Sequence, residues 1–267
     1  MHHISIYGAG HLASSLLKGL RDITEHPIVL YNRNPARAVE LISLYPNLKI
    51  ASNYLELVEY SSFVFIIIPP AAITQLDPVF IDKIISTNSV IVSCANYLTI
   101  DNLSSLYSNT KIIRLLPNIL WQIKQGVSIY SSNPVITKKD INDFLEILSP
   151  ITTLIKADNE TDFDKFGKLT SCGPGLFSNL LDQLFVSFNI NSEEQKKVIL
   201  KTLTATIEYS LTTRKNLKDV IIEVANKDGL TESGINSMNA FLPDNFSAIS
   251  LAMDKKLSDK KSSLKPI

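Results

Sequence analysis

The sequence predicts an α/β protein in two parts, an N-terminal doubly wound parallel sheet followed by an all-α domain. Three observations point there. Short β-branched runs recur at intervals that leave room for a helix between them, and a glycine-rich turn closes the first of them. Beyond about Lys156, apolar residues fall at three- and four-residue spacing with no strand alternation.

The first run is Ile4 to Tyr7, followed by Leu12, Leu16, Leu17 and Leu20 on one helical stripe. Ile28 to Tyr31 makes the second strand, and Ala38, Leu41, Ile42 and Leu44 the apolar side of the next helix. Strands follow at Leu48 to Ile50, Phe63 to Ile68, Val90 to Val92 and Lys111 to Ile113. Phe63 to Ile68 is apolar throughout, as a parallel strand covered on both faces should be. Two more strands are expected at Val127 to Tyr130 and Ile151 to Ile155, with a helix from about Lys138 to Leu148 between them. In the second half, Asp162 to Phe188, Ser192 to Thr213, Leu217 to Val224 and Glu232 to Leu242 read as helices. The run that includes Leu176, Phe177, Leu180, Leu184, Phe185 and Phe188 is apolar on most faces, which requires burial on most faces and hints at helix exchange across a dimer. The expected boundaries are 1-156 for the sheet domain, 157-254 for the helical domain and 255-267 for a flexible tail.

Lysine plus arginine and aspartate plus glutamate both number 26, so the chain has no basic field to attract nucleic acid or an anionic membrane surface. The longest apolar run, Phe63 to Ala72, is about half of a membrane span, and Pro69 and Pro70 interrupt it. The N-terminus enters an apolar stretch without a basic segment and cleavage site, which argues against a signal peptide. Cys94 and Cys172 lie far apart without a CxxC and read as buried free thiols of a reducing compartment. A soluble, cytoplasmic protein is expected.

Chemistry enters at the first turn, Tyr7-Gly8-Ala9-Gly10-His11-Leu12-Ala13. Directly after a strand and before a helix, GxGxxA is a dinucleotide-binding fingerprint of the Rossmann type. Gly8 allows the tight turn, Gly10 lets backbone approach a pyrophosphate, and small Ala13 lets helix and strand pack closely. Gly8, Ala9, Gly10, His11 and Leu12 are thus the expected pyrophosphate cradle, at the positive end of the helix. An acidic residue at the end of the second strand would hold the 2′-hydroxyl of NAD, whereas this chain has Asn32-Arg33. Arg33 offers a charged fork and Asn32 a donor to a 2′-phosphate, which favours NADP over NAD. His2, His3, His11 and His26 show no metal-ligand spacing, so no metal is expected. No GxSxG, HExxH or Walker loop supports hydrolysis or phosphoryl transfer.

GAGHLA, the Asn-Arg turn, Arg114-Leu115-Leu116-Pro117-Asn118, Leu169 to Gly175 and Lys227 to Gly234 together resemble the Δ1-pyrroline-5-carboxylate reductase family, in order and over nearly the whole chain. The resemblance implies a Rossmann domain that uses NADPH and a helical domain that dimerises by interleaving with its partner. It implies reduction of the C=N bond of pyrroline-5-carboxylate to give L-proline. It places Ile68 and Pro69 near the nicotinamide ribose and Asn118 at the border of the nicotinamide and substrate. It assigns substrate binding to Gly229, Leu230 and Thr231, where amides at a helix N-terminus suit a carboxylate, and makes the Thr231 hydroxyl the catalytic candidate nearest the imine nitrogen.

The departures from the family pattern cluster at the substrate end. The family's Pro-Gly-Gly-Thr-Thr is Lys227-Asp228-Gly229-Leu230-Thr231, which adds a carboxylate where a substrate carboxylate would sit. Ser171, Tyr97 and Asp228 stand where the family has glycine. Two other readings therefore stay open: an NADPH-dependent reductase of another imine or carbonyl, and a non-catalytic NADP-binding dimer.

Overall fold

A computed structural model describes residues 2–264 except 22, 24, 46 and 47. Eight strands are β1 (Ile4–Tyr7), β2 (Ile28–Tyr31), β3 (Lys49–Ile50), β4 (Phe63–Ile66), β5 (Val90–Ser93), β6 (Lys111–Leu116), β7 (Gly126–Ser132) and β8 (Thr152–Lys156). They form one sheet in the order β3-β2-β1-β4-β5-β6-β7-β8. The connecting helices are α1 (His11–Leu20), α2 (Pro35–Val39), α3 (Tyr54–Leu57), α4 (Pro70–Ile73), α5 (Pro78–Ser86), α6 (Ile100–Leu106) and α7 (Lys138–Leu148). This is the Rossmann-type α/β arrangement that the spacing of β-branched runs predicts.

Strand residues alternate between two cores, as a period of two requires. Ile4, Ile6, Phe63, Phe65, Val90 and Val92 pack with Leu16 and Leu17 of α1 and Phe144 of α7. Tyr7, Val64, Ile66 and Ile91 pack on the opposite side with Phe80 and Ile84 of α5 and Leu103 of α6. The strands β1 to β6 pair in parallel, but β7 runs antiparallel to β6, so the sheet is not wholly parallel. The link from Pro117 to Gln125 holds only a 3-10 turn, Ile119–Ile123, and is shorter than the roughly dozen residues a parallel crossover needs. With α7 as a crossover, β8 then pairs parallel to β7.

The chain divides into a unit of residues 1–175 with 259–267 and a unit of residues 176–258, rather than at 156. The boundary moves because α8 (Glu160–Thr170) belongs to the first unit. Phe163 of α8 is buried with Leu116 and Ile129, and the Arg114 guanidinium of β6 lies 3.8 Å from the centre of its ring. Arg114 is wholly buried, pairs with Glu160 at 2.5 Å and donates to the Asn96 carbonyl at 2.9 Å. Burial pulls the Arg114 pKa down, and the charge of Glu160 opposes that.

The second unit is helical, from α9 (Gly173–Ser187) through α10 (Glu193–Thr213) and α11 (Leu217–Val224) to α12 (Leu230–Ser263). A break at Ser171 and Cys172 separates α8 from α9 where the sequence suggests one helix, and it leaves Cys172 exposed rather than buried. Pro243 does not end α12, and the expected tail from 255 is helical through Ser263. Lys261 pairs with Asp164 at 2.6 Å and Leu264 packs on the core that contains Tyr107, which ties this segment to the first unit. The expected tail residues 265–267 lie outside the described residues. No helix among the described residues is long and apolar enough to cross a membrane.

Removing Glu160 leaves a buried guanidinium uncompensated, because Arg114 is 0% and Glu160 33% exposed. Glu160→Gln is expected to cost about 3 kcal/mol in urea unfolding. The double variant Arg114→Met/Glu160→Gln should lose less than the sum of the two single losses.

Candidate functional site

Strand order reverses between β1 and β4, and the carboxyl ends of these strands open the crevice in which α/β sheets of this kind bind ligands. Gly8 follows β1 directly, donates its amide to the Tyr31 carbonyl at 2.8 Å and takes φ of +121°. A Cβ there would collide with the Ile67 carbonyl oxygen. Only glycine meets both demands, so β1 and β4 can end side by side. Gly10 caps α1 with its backbone and has no atom within 4 Å of where a side chain would start. The helix starts without a side-chain cap or an acidic residue in its first turn, so its leading amides are available to an anion. Ala13 is buried, as close packing of α1 on the sheet requires. Ala9 and Leu12 are half-buried and His11 is exposed around this opening.

Arg33 stands at the end of β2, exposed, and lines a cavity of about 210 Å³ together with Tyr7, Ile68 and Asp77. Asn32 donates to the Asn34 carbonyl at 2.9 Å, and Asn34 in turn accepts from the Ala36 amide to cap α2, so this turn is internally braced. Burial and the neighbouring Tyr31 raise the Tyr7 phenol, with Arg33 pulling it back down. Pro69 begins α4 beside Ile68. Of the sequence-expected residues, Arg33 and Ile68 line one cavity, and Gly8 lies against Ile67 and Ile68.

The Asn118 side chain is held by the fold itself. Its amide nitrogen donates to Val127 O at 3.3 Å and Thr170 O at 3.0 Å, and its oxygen accepts from the Leu120 amide at 3.0 Å. Nearly buried, this side chain serves the turn after β6 and the end of α8.

In the second unit, Asn226 to Gly229 form a turn closed by the Gly229 amide on the Asn226 carbonyl at 3.0 Å, and α12 starts at Leu230. Leu230 is 93% exposed and Thr231 is also exposed. Asp228 adopts the left-handed conformation, φ +59°, and its amide donates to Glu232 Oε2 at 2.6 Å. The site where the family has glycine therefore still demands a left-handed residue, which aspartate tolerates better than most.

Sequence reading did not find Tyr54 and Asp77, which the fold brings beside Arg33. Asp77-Pro78 carries the signature of a helix start, while Tyr54 has no local signal. A second juxtaposition also escaped sequence spacing: ligand atoms of His2, Asp143 and Glu146 lie within 4.8 Å of one another. Asp143 is already paired with Lys139 at 2.5 Å and Glu146 is exposed, so no metal is assigned to them. Burial pushes the Cys94 thiol up to about 12, which leaves it inert at neutral pH.

A family model described as "NADP oxidoreductase coenzyme F420-dependent" matches residues 3–97. A pyrroline-5-carboxylate reductase of Mycobacterium leprae is 26% identical over 196 residues, 69% of this chain, and the match spans only 64% of that protein. Pyrroline-5-carboxylate reductase 3 of Bacillus subtilis is 23% identical over 93% of both chains. Among solved structures, the Plasmodium falciparum pyrroline carboxylate reductase with NADP bound superposes with a TM-score of 0.81 at 18% identity, over 98% of this chain and 97% of the other. A pyrroline-5-carboxylate reductase from Coxiella burnetii gives 0.83 at 16% identity over 100% and 99%. An imine reductase from Myxococcus stipitatus in complex with NADP+ gives 0.58 at 14% identity over 97% and 92%. The chain has a pyrroline-5-carboxylate reductase-like fold, a Rossmann domain of the NADP-binding type followed by an all-α domain.

The left-handed turn predicts an order of stability. Asp228→Ala should unfold at lower urea concentration than Asp228→Gly, by a difference of about 1 kcal/mol, because a Cβ at φ +59° is strained and glycine is not.

Proposed function

We propose that this protein is an NADPH-dependent reductase of a carbon–nitrogen double bond, with Δ1-pyrroline-5-carboxylate as substrate and L-proline as product. The observation that carries the reading is the pairing of an uncapped α1 N-terminus behind the Gly8 turn with Arg33 beside the adjoining cavity. These residues fit a dinucleotide with a 2′-phosphate: helix amides for the pyrophosphate, a guanidinium for the extra phosphate, and no acidic residue at Asn32 or Arg33 to favour NAD. The similarity to pyrroline-5-carboxylate reductases over the length of the chain supports the choice of reaction.

NADPH, when bound, supplies the hydride. The protein's part is to hold its reactants in register and exclude water, for a protonated cyclic imine needs no strong protein acid to accept a hydride. Gly8 to Leu12 would hold the pyrophosphate, Asn32 and Arg33 the 2′-phosphate, and Ile68 and Pro69 the ribose beside the nicotinamide. The turn of Gly229, Leu230 and Thr231 would receive the substrate, the Thr231 hydroxyl accepting a hydrogen bond from the protonated imine nitrogen. A second reading, reduction of another imine or carbonyl, draws on Asp228 and Glu232, whose carboxylates stand at that same turn. A non-catalytic NADP-binding dimer is the third.

The helical unit supports a homodimer or larger homo-oligomer. Phe177, Phe188, Leu211, Ile222 and Phe241 are all more than half exposed in the single chain, too large an apolar surface to leave in water. The same reading puts the protein in the cytoplasm, with a small cyclic imine and a second copy of itself as partners.

By fluorescence titration NADPH should bind about tenfold to a hundredfold more tightly than NADH, and Arg33→Ala should remove most of that preference. Thr231→Ala should lower turnover of pyrroline-5-carboxylate by at least about tenfold while leaving NADPH affinity nearly unchanged. An unaltered turnover number would move the catalytic hydroxyl elsewhere. Light scattering at micromolar concentration should return at least twice the mass of the chain, and a monomer peak would remove the oligomer.

A further inference from the structure

The cavity beside Arg33 adjoins the place where a 2′-phosphate is expected. Its volume of about 210 Å³ is smaller than the roughly 300–1,000 Å³ of a site for a whole drug-sized ligand, and it suits a single flat ring system. Its apolar wall is made by Tyr7, Tyr54 and Phe80. With Tyr31 these rings close a circuit of edge-to-face contacts, their centroids 5.1 Å to 6.4 Å apart, so the wall is rigid. Arg33 lies at the end of β2, where the ribose phosphate of a dinucleotide is expected, and the base attached to that ribose must lie next to it.

Against this wall stands one carboxylate. Asp77 Oδ2 accepts from the Tyr54 hydroxyl at 2.7 Å and Oδ1 accepts from the Val79 amide at 2.8 Å. The two bonds fix the carboxylate plane and leave each oxygen a lone pair. The Tyr54 hydroxyl and then the Val79 amide hold the Asp77 pKa below the usual carboxylate value, so the group is ionised and can only accept hydrogen bonds. An acceptor-only carboxylate favours an exocyclic amine and repels a carbonyl oxygen at the same ring position, whereas Gln75 on the same lining can donate or accept and does not discriminate between them.

We propose that Asp77, oriented by Tyr54, makes this cavity select a 6-aminopurine over the corresponding 6-oxopurine, that is, adenine over hypoxanthine in the bound dinucleotide. The inference rests on the cofactor reading above and adds the group that discriminates the base. Asp77 also caps α5, but serine or asparagine serves a cap equally well, so capping does not require a carboxylate.

The test is equilibrium titration of the full chain, followed by the fluorescence of the reduced nicotinamide, with NADPH and with its hypoxanthine counterpart. NADPH should bind about tenfold or more tightly than the hypoxanthine form, the size expected for a hydrogen bond to a charged group. Asp77→Asn and Asp77→Ser both keep the helix cap, and in both the ratio should fall towards one; in Asp77→Asn, whose amide can donate to a carbonyl, it should fall further. Equal affinity of the wild-type chain for the two dinucleotides overturns the selectivity and leaves the cofactor reading standing. A preference undiminished in both variants overturns the role of Asp77. Absence of binding by both dinucleotides overturns this inference and the cofactor reading together.

Discussion

The close passage of Gly8 past the Ile67 carbonyl is the constraint on which the N-terminal unit depends. It lets β1 and β4 run side by side to their carboxyl ends with α1 leaving at once from the turn, its first amides still unpaired. Everything expected of the cofactor site follows from that geometry. A side chain at position 8 would push the strands apart at the point where strand order reverses, and the crevice, the helix terminus and the position of Ile68 would shift together.

The other side of the sheet is organised by a buried charge. Arg114 reaches from β6 to Glu160 at the start of α8, to the Asn96 carbonyl after β5 and onto the ring of Phe163. A guanidinium can join three such elements because it presents several donors in one plane and an apolar face. This is why α8 belongs to the sheet unit although its sequence reads as the first helix of the second half. A surface ion pair would not have moved the boundary.

The helical unit poses the opposite problem, too many apolar side chains for the helices available to cover them. Hydrophobic spacing makes each helix legible, yet spacing does not state what lies across from a face. Exposed Phe188 and Leu211 in the single chain are the physical content of the expected dimer. The turn before α12 shows how a departure from a motif can keep its geometry: Asp228 is left-handed as a glycine would be, and it brings a charge that a glycine would not.

Much of the fold was legible because parallel strands buried on both faces have a compositional signature, and the Gly8 turn, Arg33 and the helical second half follow from local chemistry. What escaped was decided by distance through space. The direction of β7 depends on the length of one link, and the end of α12 on contacts of Lys261 and Leu264 with residues far back in the chain. Asn118 is drawn into the fold by carbonyls of Val127 and Thr170, and Tyr54 meets Asp77 across 23 residues. By itself the sequence determined a Rossmann-type α/β fold and the glycine turn and helix start that follow its first strand, since backbone conformation acts locally. Only the tertiary structure decided which polar groups remain available to a ligand, because a hydrogen-bonding side chain satisfied by a distant carbonyl looks, in sequence, the same as one left free.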